Sequence, residues 1–304
     1  MSLDPKYIEY PRRQYGYDHD IYPWSAMHQR PAIKWDNDKK VAIWICVSLE
    51  YFPIIPNDAP FRAPGHMVTP YPDYRHYTSR EYGTRIGIYR LLDAFKQRGI
   101  RASIAANSII AEKYPALVED ILADGHEIIA HSTDMNASIA SNMDEAQERA
   151  IIEQSLEILT KAIGEKPSGW LSISRSQSWR TADILTENGV KYCCDWVNDE
   201  LPYRFNNGLI NLPLNHEISD RQIISVQQQS ANNYAASMMD AFHWLHGEAA
   251  QFGGRLLPLH ITPYIMGLPY RIGSFENMLD NLLMQDSGFF TRGDDLVRIW
   301  EKQQ

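Results

Sequence analysis

A chain of 304 residues is long for one ordinary domain but within range for one α/β barrel. With 44% hydrophobic and 22% charged residues it has the composition of a globular protein that can bury a sizeable core without disulfides. The formal net charge of −9, with basic residues scattered, excludes the basic face that a phosphate backbone or an anionic membrane would need. Nucleic acid and membrane are therefore not expected as partners.

Residues 1–39 are rich in Tyr, Pro, Asp and Arg and lack periodicity. They read as an ordered arm wrapped over one domain at 40–304. The opening MSLDPKYIEYPRRQ has no apolar h-region, and no stretch approaches the roughly 20 apolar residues of a membrane span. Of the cysteines, Cys193 and Cys194 are adjacent, and Cys46 lies in an apolar run as a buried thiol. A reducing, cytoplasmic setting is the expectation.

Residues 41–49, VAIWICVSL, form an apolar, β-branched run typical of a strand buried on both faces. A loop rich in Pro, Tyr and His follows at 52–82, and a loop of that length is usually functional. Helical patterns at 83–98, 114–123 and 143–163 then alternate with strands at 101–106 and 127–131. The third of these helices takes Asn142 as its N-cap and shows Ile151, Ile152, Leu156 and Leu159 on one face. The second half continues with strands at 168–172, 190–195, 209–213 and 255–260, and helices at 179–188, 232–251 and 273–285. This alternation predicts a parallel sheet with right-handed crossovers, and seven or so strands favour a closed or nearly closed barrel.

In such a barrel, chemistry sits at the C-terminal ends of the strands. That rule selects Ser48-Leu49-Glu50-Tyr51, His131-Ser132-Thr133-Asp134, Ser172 with Ser174 and Arg175, Asp195-Trp196, and His260. Glu50 would be partly desolvated, which raises its pKa toward general-base duty; a salt-bridged structural carboxylate is the alternative. His131 and His260 are either hydrogen-bonded core residues or catalysts, and their sharing one rim favours catalysis. Asp195 could orient a histidine, pair with Arg175 or cap its strand. Trp170, Trp179 and Trp196 could line an aromatic pocket or pack in the core. His126 and His131 cannot chelate one ion from a single strand, because residues five apart face opposite sides. His216 and His243 have no visible companions and read as structural.

The segments Ser48-Leu49-Glu50-Tyr51-Phe52, GHEIIAHS (125–132), SGWLSISRSQSWRTADIL (168–185) and LPLHITPYIMGLPYRI (257–272) resemble, in order, the motifs of the polysaccharide deacetylases. That family is carbohydrate esterase family 4, the NodB-homology domain, and the similarity spans about residues 40–285. The tract GWLSISRSQSW…CDWVNDELPY with PYIMGLPYRI looks more like the cofactor-independent allantoinase-like subgroup. The resemblance implies a distorted (β/α)7 barrel. It puts the base at Glu50 and the metal ligands at Tyr51, His131 and Met135. A phenol and a thioether suit a divalent ion poorly, so no metal and no cofactor are expected. It also puts the general acid at His260, an arginine holding the base near Arg175, and an acidic residue that orients a histidine at Asp195.

The expected activity is metal-independent hydrolysis of a small, cyclic amide C–N bond. Glu50 or His131 would activate water, His260 would protonate the leaving nitrogen, and Arg175, Tyr51 or backbone N–H groups would meet the oxyanion. The loop 52–82, with His66, Tyr74, His76 and Tyr82, would close over the substrate. Two alternatives stay open: a metal-dependent carbohydrate N-deacetylase, and a non-hydrolytic or binding member of the same fold. A small-molecule substrate is expected, and the resemblance implies a homo-oligomer such as a tetramer.

Overall fold

The structure is a computed structural model that describes residues 18–57 and 70–304. Its strands are β1 (Val41–Leu49), β2 (Ser103–Ala106), β3 (Glu127–Ala130), β4 (Gly169–Trp170), β5 (Tyr192–Cys193), β6 (Tyr203–Arg204), β7 (Ile210–Asn211), β8 (Arg255–Ile261) and β9 (Gly288–Thr291). All belong to one sheet in the order β6-β7-β5-β4-β3-β2-β1-β8, parallel except for β6 against β7. Strand β9 shares one edge of β1 with β2: β9 takes Val41–Trp44 and β2 takes Cys46–Leu49. The sheet curls into a half-barrel, and β8 does not pair back to β6. The expected α/β class and distorted barrel hold, but the barrel stays open. Strands β6 and β9 escaped the sequence reading.

The helices are α1 (Tyr74–Tyr82), α2 (Ile88–Lys96), α3 (Ile109–Lys113), α4 (Pro115–Ala123), α5 (Glu145–Ile163), α6 (Thr181–Glu187), α7 (Ala231–Phe252), α8 (Pro263–Met266), α9 (Ile272–Leu283) and α10 (Gly293–Glu301). Two expectations are corrected here. The segment 52–82 is not loop throughout, since α1 begins at Tyr74, where the Asp73 side chain accepts from His76 N. Helix α5 is capped not by Asn142 but by Asp144, which accepts from Ala146 N and also sets a negative charge at the helix start. His66, within 58–69, lies outside the described residues, as do residues 1–17 of the arm. The rest of the arm lies on the domain: Ile33 bridges to Gly253, and the Trp35 indole N–H donates to the Arg255 carbonyl at 2.9 Å. No helix among the described residues is long and apolar enough to cross a membrane.

Strand β1 is buried along all nine residues and divides its side chains strictly by parity. Val41, Ile43, Ile45, Val47 and Leu49 join the apolar cluster under the outer helices. Ala42, Trp44 and Cys46 join a second cluster, closed below by Leu296, Val297 and Trp300 of α10. A strand has a side-chain period of two, so Ser48 and Glu50 continue that inner face to its mouth, while Tyr51 falls on the outer one.

One close approach fixes how α8 meets this mouth. A π-helical turn at Gly83–Gly87 joins α1 to α2. A Cβ added at Gly87 would lie 2.2 Å from the Pro263 carbonyl oxygen, so only glycine lets α8 dock here. Gly87→Ala is expected to cost about 1–3 kcal/mol of stability, measured by chemical denaturation, by pushing α8 outward. An unchanged denaturation midpoint would show that the crossing can relax.

Candidate active site

Glu50, at the end of β1, is 5% exposed. Its Oε1 accepts from Arg221 Nη2 at 2.7 Å, and its Oε2 accepts from the Tyr264 hydroxyl at 2.7 Å. The same Tyr264 oxygen accepts from Arg221 Nη2 at 2.8 Å, which closes a three-membered ring of charge-assisted bonds. Burial alone would push the Glu50 carboxyl up. The Arg221 guanidinium, His131 and the Tyr264 hydroxyl together outweigh it and hold the carboxyl down at about 2. The expected raised, basic Glu50 is thereby corrected: it is a permanent carboxylate and a weak proton acceptor.

His131 follows β3 on the inner face, and its Nε2 stands 3.9 Å from Glu50 Oε1. Its Nδ1 lies 2.6 Å from the Leu171 carbonyl oxygen. A carbonyl can only accept, so Nδ1 carries a proton and Nε2 is the ring nitrogen turned toward the cavity. That Nε2 is buried and has no hydrogen-bond partner.

His260 is the penultimate residue of β8, opposite Cys46. Its Nδ1 faces Arg175 Nη2 at 3.1 Å, and its Nε2 is 2.7 Å from Ser48 Oγ. Burial, and then the Arg175 and Arg221 guanidinium charges, hold His260 well below the usual histidine range. It is a neutral ring at ordinary pH, which corrects the expectation of an imidazolium acid.

Glu50, His131, Arg175 and His260 line one cavity of ≈ 270 Å³, together with Ser48, Ser172, Ser174, His216, Ser219 and Arg221. The other selected residues lie elsewhere. The Tyr51 ring packs against Tyr114, with Lys113 Nζ 5.3 Å from its centroid. The Tyr82 hydroxyl accepts from Arg90 Nη1 at 2.5 Å. Asp195 orients no histidine: it accepts from Ser172 N at 2.7 Å, from Ser172 Oγ at 3.0 Å, and from Gln177 Nε2. Trp196 donates its indole N–H to Gln177 Oε1 at 2.8 Å and packs on Tyr22 and Phe205. Asp195 and its partners thus brace the 172–177 turn from behind.

Sequence reasoning missed Arg221 and Tyr264 and placed Arg175 in Arg221's role. Arg221 opens a π-helical turn at Arg221–Val226 that has no apolar period to mark it. The preceding Asp220 accepts from Thr262 N at 2.7 Å, which ties this turn to the end of β8. His216, read as structural, stands at the cavity rim beside Glu217.

The residues at the metal positions implied by the resemblance do not fit a divalent ion. Tyr51 faces away and Met135 is buried in the apolar cluster, so of the three positions only His131 Nε2 could serve as a ligand. Among the described residues no group of three His, Cys, Asp or Glu could hold one. The positive charge beside Glu50 is instead a guanidinium.

The fold and site define an α/β half-barrel with a small, charged, inward-facing cavity. The family model for polysaccharide deacetylases matches residues 81–193. A Schizosaccharomyces pombe protein carrying the polysaccharide deacetylase name is 20% identical over 72% of this chain and 74% of its own. A Helicobacter pylori peptidoglycan deacetylase is 28% identical over 40% of this chain and 41% of its own. Among solved structures, a polysaccharide deacetylase family protein from Pseudomonas aeruginosa PAO1 superposes with a TM-score of 0.84 at 25% identity, covering 97% of this chain and 99% of that one. The Puue allantoinase gives the same TM-score, identity and coverage. Residues 81–193 thus match the polysaccharide deacetylase model, and the fold of the chain is of the NodB type.

Proposed function

We propose that this cavity hydrolyses a C–N bond of a small cyclic amide without a metal ion. The observation that carries the reading is the Arg221–Glu50–Tyr264 ring set beside a His131 whose buried Nε2 has no hydrogen-bond partner. His131 Nε2 takes a proton from water as the water oxygen bonds to the amide carbon and the carbonyl electron pair moves onto oxygen. The Glu50 carboxylate, 3.9 Å away, stabilises the imidazolium so formed. Collapse of the tetrahedral intermediate breaks the C–N bond, and the leaving nitrogen takes the same proton back from His131. One water is consumed, and the opened ring bears a carboxylic acid and an amine or urea nitrogen.

Two observations support a small ring substrate. The cavity volume of ≈ 270 Å³ lies just below the usual range of ligand sites, about 300–1,000 Å³, and so suits only a small ligand. The likeness to an allantoinase extends over nearly the whole chain. A strained or activated ring amide also needs less electrophilic help than an acetamide, which suits a site with donors but no ion. The competing reading is metal-dependent deacetylation of a carbohydrate polymer, favoured by the name of the H. pylori relative. The test is a panel of hydantoins, imides and ring ureides beside N-acetylated chito-oligomers, each with and without chelator. Ring opening that survives chelator is expected. Turnover confined to the oligomers, or abolished by chelator and restored by a divalent ion, overturns the proposal.

A further inference from the structure

We propose that Arg175, His260 and Ser48 form a one-way hydrogen-bond relay that makes the Ser48 hydroxyl the oxyanion donor of this cavity, not a nucleophile. A serine 2.7 Å from a histidine nitrogen would ordinarily invite the opposite reading, with the ring as base. The partner on the far side of the ring decides between them. A guanidinium has donors only, so His260 Nδ1 must accept from Arg175 Nη2. A neutral ring with a bare Nδ1 carries its proton on Nε2. That N–H donates to Ser48 Oγ, and the ring has no lone pair left to take the serine proton.

The geometry of Arg175 makes this direction hard to reverse. Its Nε and Nη2 both donate to the Leu214 carbonyl, at 3.1 and 2.8 Å, so the two Nη2 hydrogens are divided between Leu214 and His260. The backbone is left-handed at both Ser174 and Arg175, with φ of 54° and 56°. Two successive non-glycine residues in that region are strained, and such strain persists where the surroundings over-determine it. Here it aims the guanidinium at His260. At the other end of the relay, Ser48 lies on the inner face of β1, two residues before Glu50, and both line the cavity. Its oxygen accepts from His260, which leaves its own hydrogen for the cavity; no other partner is recorded for it among the described residues. A chain that begins on a cation polarises each successive bond, so this hydroxyl is a stronger donor than an isolated serine. Arg175 is then a positioning residue acting through His260, and Ser48 is the group that touches the reacting carbonyl oxygen.

Only the last step, donation to an oxyanion, rests on the hydrolytic reading; the direction of the relay does not. Imidazole 15N spectra of the whole protein, with the His260 signal assigned by its loss in His260→Gln, report the tautomer directly. A protonated Nε2 and a bare Nδ1 are expected at neutral pH. A bare Nε2 or a doubly protonated ring overturns the relay, with no substrate needed. Phenylmethylsulfonyl fluoride should leave the intact mass unchanged, and one adduct on Ser48 would show a nucleophile instead. On a hydrolysed ring amide, Ser48→Ala should lower kcat about 10²-fold with KM shifted less than about threefold, and Ser48→Thr should recover most of it. Unchanged kcat in Ser48→Ala overturns the oxyanion role. If no ring amide is turned over while the tautomer is as stated, the hydrolytic proposal fails and the relay stands.

Discussion

Arg221→Met is expected to lower the unfolding free energy by about 3–5 kcal/mol, the usual penalty for leaving one member of a buried ion pair uncompensated. The Glu50 side chain is buried, and Arg221 supplies both its guanidinium contact and one of the two bonds on the Tyr264 oxygen. Without that charge, burial dominates and the Glu50 pKa climbs. The double variant Glu50→Gln/Arg221→Met should recover part of the loss, because no charge is then stranded. Urea denaturation of the four proteins in the cycle measures the coupling. Stability of Arg221→Met within about 0.5 kcal/mol of the parent would sink the account.

The same pair fixes the acid limb of stability. Glu50 is held at about 2 in the folded protein, against an ordinary 4.5. A carboxylate depressed on folding contributes stability that is complete above its unfolded pKa and is lost as pH falls through its folded one. The window is therefore from about 4.5 down to 2, and the shift corresponds to about 3 kcal/mol. Glu50→Gln should flatten that part of the stability curve. An equally steep acid limb in Glu50→Gln would assign it to other carboxylates.

His131→Ala is expected to reduce hydrolysis of a ring amide by about 10² to 10⁴-fold, the range of a lost general base. Its effect on folding should be small by comparison, about 1 kcal/mol for the hydrogen bond to the Leu171 carbonyl, with a further loss from the cavity left behind. Added imidazole should restore part of the rate by occupying the vacated space. Turnover above half that of the parent would remove His131 as the base and return the role to a group the electrostatics disfavour, such as Glu50.

Two guanidinium groups set the charge of this cavity: Arg221 stands beside Glu50, and Arg175 meets the opposite wall through His260. Both are fixed by bonds to groups outside the cavity: Arg221 to Tyr264, and Arg175 to the Leu214 carbonyl. Donors held in this way need no reorganisation when charge develops on a substrate, which is where most electrostatic catalysis arises.

The sequence by itself determined the parallel α/β class, because an apolar run such as 41–49 can only be a strand covered on both sides, and the strand-end rule then selected Glu50, His131 and His260. It also held, unused, the reason Tyr51 turns outward, since parity along β1 separates it from Glu50. What only the tertiary structure decided is which charges face one another. Arg221 reaches Glu50 across 171 residues and Tyr264 reaches it across 214, from a π-helical turn and a four-residue helix with no periodic signal. Protonation follows from those partners: Arg221 depresses Glu50, and Arg175 sets the His260 tautomer. Periodicity is a local property of the chain, whereas a pKa or a tautomer belongs to contacts that form only when distant segments are packed together.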